Sequence, residues 1–397
     1  MTKIELAGQE FSLEILQEEP ARHSASFERA RKTPGHGLCL CIPGGRRLQV
    51  KKRDGLYHLA VWPLDGQGHH SRCFFYRTPD DLTGASGYTA EALHEREDGS
   101  LDIRADIPLK VRTEDRNPAG DPAQRSAGSG QKRASMAMLG LLHAYWERAR
   151  LNQWHPGWNR NWSRCRWELG NIEGRLNGED IREAMYVVPA FDAEQKDKIE
   201  AGFERFRDRL AAPGPYRARG VVIGEAKALT QSEYGYRLNL RHQAQTYYAN
   251  RALIAKVSDS YRHVMAQMSN FNARVIALLV VELSKKGFLT VVDISLMLTS
   301  RNYIPVESSF ELAMADALTS AKRSFIKPLR YDGMEDEFPD FRLTDTAPET
   351  IVEVYGMMGV PEYERRKAEK QASYRAKRIP VIEWDTRSPI PSVLRGA

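Results

Sequence analysis

The last hundred residues constrain the fold most, because their apolar pattern switches between helical and strand periods in one fixed order. VESSFELAMADALTSA reads as a helix, SFIKPLRY, DFRLTD and TIVEVYG as three short strands, PEYERRKAEKQASYRAK as a second helix and IPVIEWD as a last strand. The expected order is α-β-β-β-α-β. Within it, Glu353 stands among Ile, Val, Val and Tyr, where a carboxylate is costly to bury unless it is paired or bound to metal. Asp340 follows Pro339 at the start of the preceding strand. Acids on neighbouring strands form a rigid platform of hard oxygen ligands, which Mg²⁺-dependent phosphodiester hydrolysis requires. The opposing expectation is that Glu353 points outward from an edge strand and Asp340 only shapes a turn.

The second helix carries Tyr363, Lys367, Lys370 and Tyr374 at steps of four, three and four, which places them on one face. Two lysines and two tyrosines make a poor core, so this face is expected to border a polar cleft. The alternative is that ERRKAEKQ is a solvated charged surface.

The order of elements, with Pro-Asp before one strand and Glu within the next, resembles the PD-(D/E)XK nuclease core of restriction endonucleases, Holliday-junction resolvases and many repair nucleases. The resemblance runs from about Tyr303 to about Asp385. It implies a hydrolase that uses Mg²⁺ (or Mn²⁺) to cleave nucleic acid, with DNA as the expected polymer and Asp340 and Glu353 as metal ligands. It further implies an acid from the first helix, Glu311, with Glu307 as the competing choice. Family members place a lysine two residues after the second acid; this chain has Tyr355 there. Some members recruit a lysine from the following helix, which makes Lys370 the first choice and Lys367 the second. As a helix-surface change, Lys370→Ala is expected to cost little stability. The alternative is a non-catalytic nucleic-acid-binding or assembly protein that keeps the nuclease fold.

GLCLCIPGG, HHSRC, LGLLHAYWERARLNQW, RNYIPVESSFE, FPDFRL and EVYGMMGVPEYERRKAEKQASY resemble the bacterial proteins grouped as domain of unknown function family 1173, over most of the chain. Those proteins are typically met on mobile genetic elements. That resemblance implies a role in mobile elements or defence, with protein partners encoded nearby, and supplies no activity.

Three of the four cysteines fall in one region, Cys39, Cys41 and Cys73, accompanied by His69 and His70. Such clustering points to metal more than to disulfides. Cys39, Cys41, His70 and Cys73 would satisfy a tetrahedral zinc ion, with His69 the alternative fourth ligand. Gly37, Gly66 and Gly68 would permit tight turns around it.

Residues 113–135, TEDRNPAGDPAQRSAGSGQKRAS, are almost without apolar side chains and read as a linker or disordered loop. The chain is therefore read as an α+β multidomain protein: a β-rich zinc-binding domain over 1–112, the linker, a helical domain over 136–212, a hairpin and helix domain over 213–302, and a restriction-endonuclease-like domain over 303–397. FSLEIL is read as one of the N-terminal strands. GEAKAL contains Glu225-x-Lys227, which imitates the nuclease strand but lacks a preceding Pro-Asp; both side chains are expected on one exposed face of a hairpin. Trp154, Trp158, Trp162 and Trp167 read mostly as core, with Arg160, Arg164 and Arg166 as a possible phosphate track.

The net charge of +6, from 58 basic and 52 acidic residues, suits a phosphate-bearing partner without requiring one. The longest apolar run, ARVIALLVVEL, is about half a membrane span, so no membrane partner is expected. The N-terminus lacks the charge-then-apolar pattern of a signal peptide, and the expected location is cytoplasmic.

Overall fold

The computed structural model describes residues 2–53, 55–62, 65–70, 73–75, 92–112, 137–329, 339–356 and 361–392. The predicted linker, 113–135, lies outside the described residues. The described chain is a mixed α+β protein with ten α-helices. No described helix is long and apolar enough to cross a membrane.

The N-terminal sheet is antiparallel, in the order Gln9–Ser12, Lys3–Leu6, Gly37–Cys39, Arg46–Arg53, Leu56–Val61. FSLEIL does not continue as strand. Ser12 caps the helix Leu13–Glu18, its Oγ accepting from Ile15 N at 3.3 Å, and the helical spacing then buries Leu13 and Leu16.

A barrel fills the middle of the molecule. Its five strands are Gly220–Ser232, Gly235–Leu240, Thr246–Ala249, Ala273–Leu283 and Leu289–Ser300. The first strand pairs the second along its latter half and the fourth along its earlier half, and the third pairs the fifth in parallel, which closes the ring. Helices Arg251–Ser260 and Arg262–Ala266 lie between the third and fourth strands. ARVIALLVVEL is apolar apart from Arg274 and Glu282 near its ends because both its faces are buried. Val275, Ala277, Leu279 and Val281 join one core, while Ile276, Leu278 and Val280 join a second with Trp146, Trp162 and Leu169.

The site lies on a five-stranded sheet in the order Val381–Asp385, Thr350–Tyr355, Phe341–Leu343, Phe325–Ile326, Gln153–Trp154. The first two strands are parallel, joined by a crossover through helix Pro361–Ala376; the other pairs are antiparallel. Val352 and Val354 pack into the core shared with helix Ser309–Ser320. By the two-residue period of a strand, Glu353 faces the opposite way, toward helix Pro361–Ala376.

Candidate functional site

Asp340 and Glu353 are brought together by strand register. Phe341 lies opposite Val352, so Asp340 sits beside Glu353, and Asp340 Oδ2 accepts from Val354 N at 2.7 Å. Glu353 is only 2% exposed. Its carboxylate is held from the following helix: Lys370 Nζ lies 2.8 Å from Oε2, and Tyr374 Oη donates to Oε1 at 2.6 Å. Two more residues of the same helix face lie over the end of the strand. Tyr363 Oη accepts from Gly356 N at 3.2 Å, and Lys367 Nζ stands 4.3 Å from the centre of the Tyr355 ring. Tyr355, in the position where the resembling family has lysine, donates to Glu383 at 3.1 Å. Burial, with Glu353 adding to it, raises the Tyr355 and Tyr374 hydroxyls, so they remain proton donors.

Glu311 reaches the same cluster from helix Ser309–Ser320. Ser308 caps that helix, its Oγ accepting from Glu311 N at 3.1 Å, and Glu311 Oε2 accepts in return from Glu307 N at 3.1 Å. Glu311 is thus both a capping residue and a member of the site.

Lys327, which sequence reasoning missed, ties Glu311 to Asp340. Its ammonium lies 2.9 Å from Glu311, 3.8 Å from Glu307 and 4.0 Å from Asp340. Its backbone is pinned to Asn152, with Lys327 N donating to Asn152 O at 2.8 Å and Asn152 Nδ2 donating to Lys327 O at 2.9 Å. The one signal in the sequence was a lysine inside the apolar run SFIKPL. Burial raises the Glu311 carboxyl to about 7 against the pull of Lys327, and burial likewise raises Asp340, with Glu353 adding to the effect. Burial opposes the charge on Lys327, but Glu311, Glu307 and Asp340 together hold it protonated.

Removing that ammonium leaves Glu311 buried without its cation. Lys327→Met is therefore expected to cost about 3–5 kcal/mol of stability. The double variant Lys327→Met/Glu311→Leu should recover more than half of that loss, because the unpaired charge goes with it. Denaturant unfolding in the presence of chelator measures both.

The N-terminal cluster is Cys39, Cys41, His69 and Cys73, whose ligand atoms all lie within 4.8 Å of one another. Cys39 and Cys73 Sγ are 3.4 Å apart, and His69 Nδ1 is 3.4 Å from Cys41 Sγ and 3.6 Å from Cys73 Sγ. Ligands at the edges of a zinc tetrahedron stand about 3.5–3.8 Å apart, so the set could hold a metal ion such as zinc. Donation from Cys39, then from His69 and Phe75 N, lowers the Cys73 thiol to about 4 and makes it ready to ligate.

His69 takes the place expected for His70. The backbone decides between the neighbours: His70 O accepts from Cys73 N at 2.7 Å and His70 N donates to Cys41 Sγ at 3.4 Å. With its main chain turned onto the sulfurs, His70 is exposed while His69 is buried among them. Gly68 precedes this turn, and a Cβ there would stand 2.6 Å from Asp65 Oδ1 and 2.8 Å from Arg46 Cζ, so a side chain would have to displace that ion pair. Among the described residues no three carboxylates gather as closely as the Cys/His set. Lys327 lies between Glu311 and Asp340, and Lys370 lies against Glu353.

Two further expectations are corrected. Glu225 is buried rather than exposed, accepting from Tyr303 Oη at 2.8 Å with Arg241 and Arg274 each at 3.6 Å, whereas Lys227 is exposed. A bulge between Ala226 and Ala228 breaks the alternation that would have put the two on one face. Two of the three arginines among the tryptophans are occupied internally: Arg160 donates to the carbonyls of Leu151 and Gln153, and Arg164 pairs Glu168 at 2.6 Å. These internal contacts draw Arg160 and Arg164 away from the phosphate track expected of them.

The chain belongs to the family described as Protein of unknown function (DUF1173), whose model matches residues 13–386. No curated protein and no solved structure matches it.

Proposed function

We propose that the chain is a metal-dependent nuclease that hydrolyses phosphodiester bonds of nucleic acid, with DNA the first substrate to test and a setting in mobile elements or defence. The observation that carries the reading is a largely buried cluster of carboxylates and lysines built on neighbouring strands and helices. Four carboxylates, Glu307, Glu311, Asp340 and Glu353, share their cluster with two ammonium groups, Lys327 and Lys370. Burial raises the Glu311 and Asp340 carboxyls despite the pull of Lys327, so an added cation would stabilise their charged forms. Hard oxygen donors so placed fit a divalent cation such as Mg²⁺ or Mn²⁺.

Asp340, Glu353 and Glu311 would hold the ion, which when bound supplies positive charge and a more acidic water. Lys370 orients the Glu353 carboxylate and offers a cation at the cleft to a scissile phosphate. This is the work the resembling family gives to a lysine at the position of Tyr355. Lys327 fixes Glu311 and Asp340 relative to one another. The Cys39, Cys41, His69 and Cys73 set, with four protein ligands and no open position, suits a structural zinc ion.

A second reading, a nucleic-acid-binding or assembly protein without catalysis, draws on the same lysines, since they partly neutralise the acids without metal. Incubation of the purified protein with single- and double-stranded DNA and RNA, in Mg²⁺, Mn²⁺ or chelator, separates the two. Metal-dependent scission that a Glu353→Ala preparation lacks is the expected result. Absence of scission with either metal on every substrate overturns the nuclease reading in favour of the second.

A further inference from the structure

We propose that the outer face of the central barrel binds single-stranded nucleic acid, at a surface separate from the carboxylate cluster. The strand order around the ring is first, second, third, fifth, fourth and back to first, with a helical segment between the third and fourth strands. This is the connectivity of the OB-fold, a barrel whose second and third strands, with the loops joining first to second and fourth to fifth, present a ligand-binding face. Connectivity alone assigns no ligand. The side chains on that face do.

The outward positions of the second and third strands are Arg237 and Asn239, and Thr246 and Tyr248; Leu238, Leu240, Tyr247 and Ala249 point into the barrel core. Register places Arg237 opposite Tyr248. Tyr248 in turn meets Phe288 of the fourth-to-fifth loop, the ring centres 5.4 Å apart. Phe288 is 52% exposed, and Tyr234, at the tip of the first-to-second loop, is 87% exposed. Large aromatic rings left in water at both margins of one strand face are costly for a surface that touches nothing.

Around them the charge is mainly positive. Lys285 and Lys286 stand exposed beside Phe288, Arg237 is exposed between the loops, and Arg251 reaches the first loop by donating to Glu233 O at 3.0 Å. Glu233 is the one carboxylate in the two loops. Exposed rings set among cations match a polymer that offers both flat bases and phosphates. A duplex keeps its bases stacked and shielded from such rings, whereas a single strand can lay them on Tyr248, Phe288 and Tyr234. Neutral oligosaccharides would leave the cations without use.

The test is fluorescence anisotropy with a labelled mixed-sequence 20-nucleotide DNA, as single strand and as duplex, in chelator so that no cleavage intervenes. The expected result is preference for the single strand, with affinity that falls steeply as salt rises. Tyr248→Ala/Phe288→Ala should weaken single-strand binding about tenfold or more, and Lys285→Glu/Lys286→Glu, confined to an exposed loop, should do the same without touching the barrel core. Lys32→Glu, at an exposed position of the helix packed on the N-terminal sheet, should bind like the wild type. Equal binding of duplex and single strand, or unchanged binding in both barrel variants, overturns the proposal. So does an equal loss in Lys32→Glu, which would make the contact one of overall charge and not of this face. A chain that binds by this face and never cleaves would leave this inference standing and remove the nuclease reading; cleavage with the barrel variants binding normally would do the reverse. If sedimentation shows that the loop variant only dissociates a dimer, with oligonucleotide affinity unchanged, the face belongs to a second copy of the chain and the proposal fails.

Discussion

Glu353→Ala is expected to lower metal-dependent cleavage by about a thousandfold and to abolish saturable Mn²⁺ binding at the cluster, because it removes a proposed ligand and leaves Lys370 without its carboxylate partner. Lys370→Ala should lower cleavage by about a hundredfold and leave Mn²⁺ binding within a few fold of the wild type. The contrast between the two variants separates the roles. Single-turnover cleavage with Mn²⁺ titration measures both. If Lys370→Ala and Lys367→Ala both cleave at the wild-type rate while Glu353→Ala does not, Lys370 serves only to hold the carboxylate.

The stability side of this prediction departs from the expectation drawn from sequence. A lysine on a helix surface can be truncated at little cost. Lys370 instead neutralises a carboxylate that is 2% exposed, with Tyr374 as that carboxylate's other donor. Lys370→Ala should therefore destabilise the metal-free protein by about 2–4 kcal/mol, and added Mn²⁺ should restore part of the loss. Activity must then be read at a temperature where the variant is folded.

Metal removal at the other end of the chain carries the second large effect. The protein purified in metal-free buffer is expected to hold about one zinc per chain, and Cys39→Ser/Cys73→Ser none. Because Cys39 and Cys73 lie within the N-terminal core with Ile4, Phe27, Leu48 and Phe75, loss of the ion should also uncouple that sheet, seen as a separate early transition on heating. The sharper comparison lies between the neighbouring histidines. His69→Ala should lose the zinc and His70→Ala should keep it, by elemental analysis. Equal zinc in the wild type and the double serine variant rejects the site.

How much of this was legible in the sequence differs from residue to residue, and the reason is range. The helix face of Tyr363, Lys367, Lys370 and Tyr374 follows from helical geometry over a dozen residues, and the structure turns that face to Glu353 and Tyr355. The three cysteines were equally local. The choice between His69 and His70 was not, since either spacing closes a tetrahedron and only the turn from His70 to Cys73 decides it. Lys327 escaped because its backbone partner, Asn152, is 175 residues away. The middle of the chain read as two hairpins for the same reason: its closure into a barrel rests on Tyr248 meeting Thr290 and on Gly220–Glu225 meeting Ile276–Val281, pairings with no local signature.

The edge strand Gln153–Trp154 bears on how this molecule comes into being. It pairs with Phe325–Ile326, so the sheet that carries Asp340 and Glu353 is completed by a segment translated long before the rest of it. As the chain leaves the ribosome, Gln153 and Trp154 wait for their neighbours, and the helices and barrel made in between must hold them in position. A fragment beginning at residue 303 would lack both that strand and the Asn152 clamp on Lys327, leaving Phe325–Ile326 as a bare edge open to other chains. The carboxylate cluster is thus not a cassette that can be cut out and carried elsewhere; it is finished only when the two ends of a long stretch of chain have found each other.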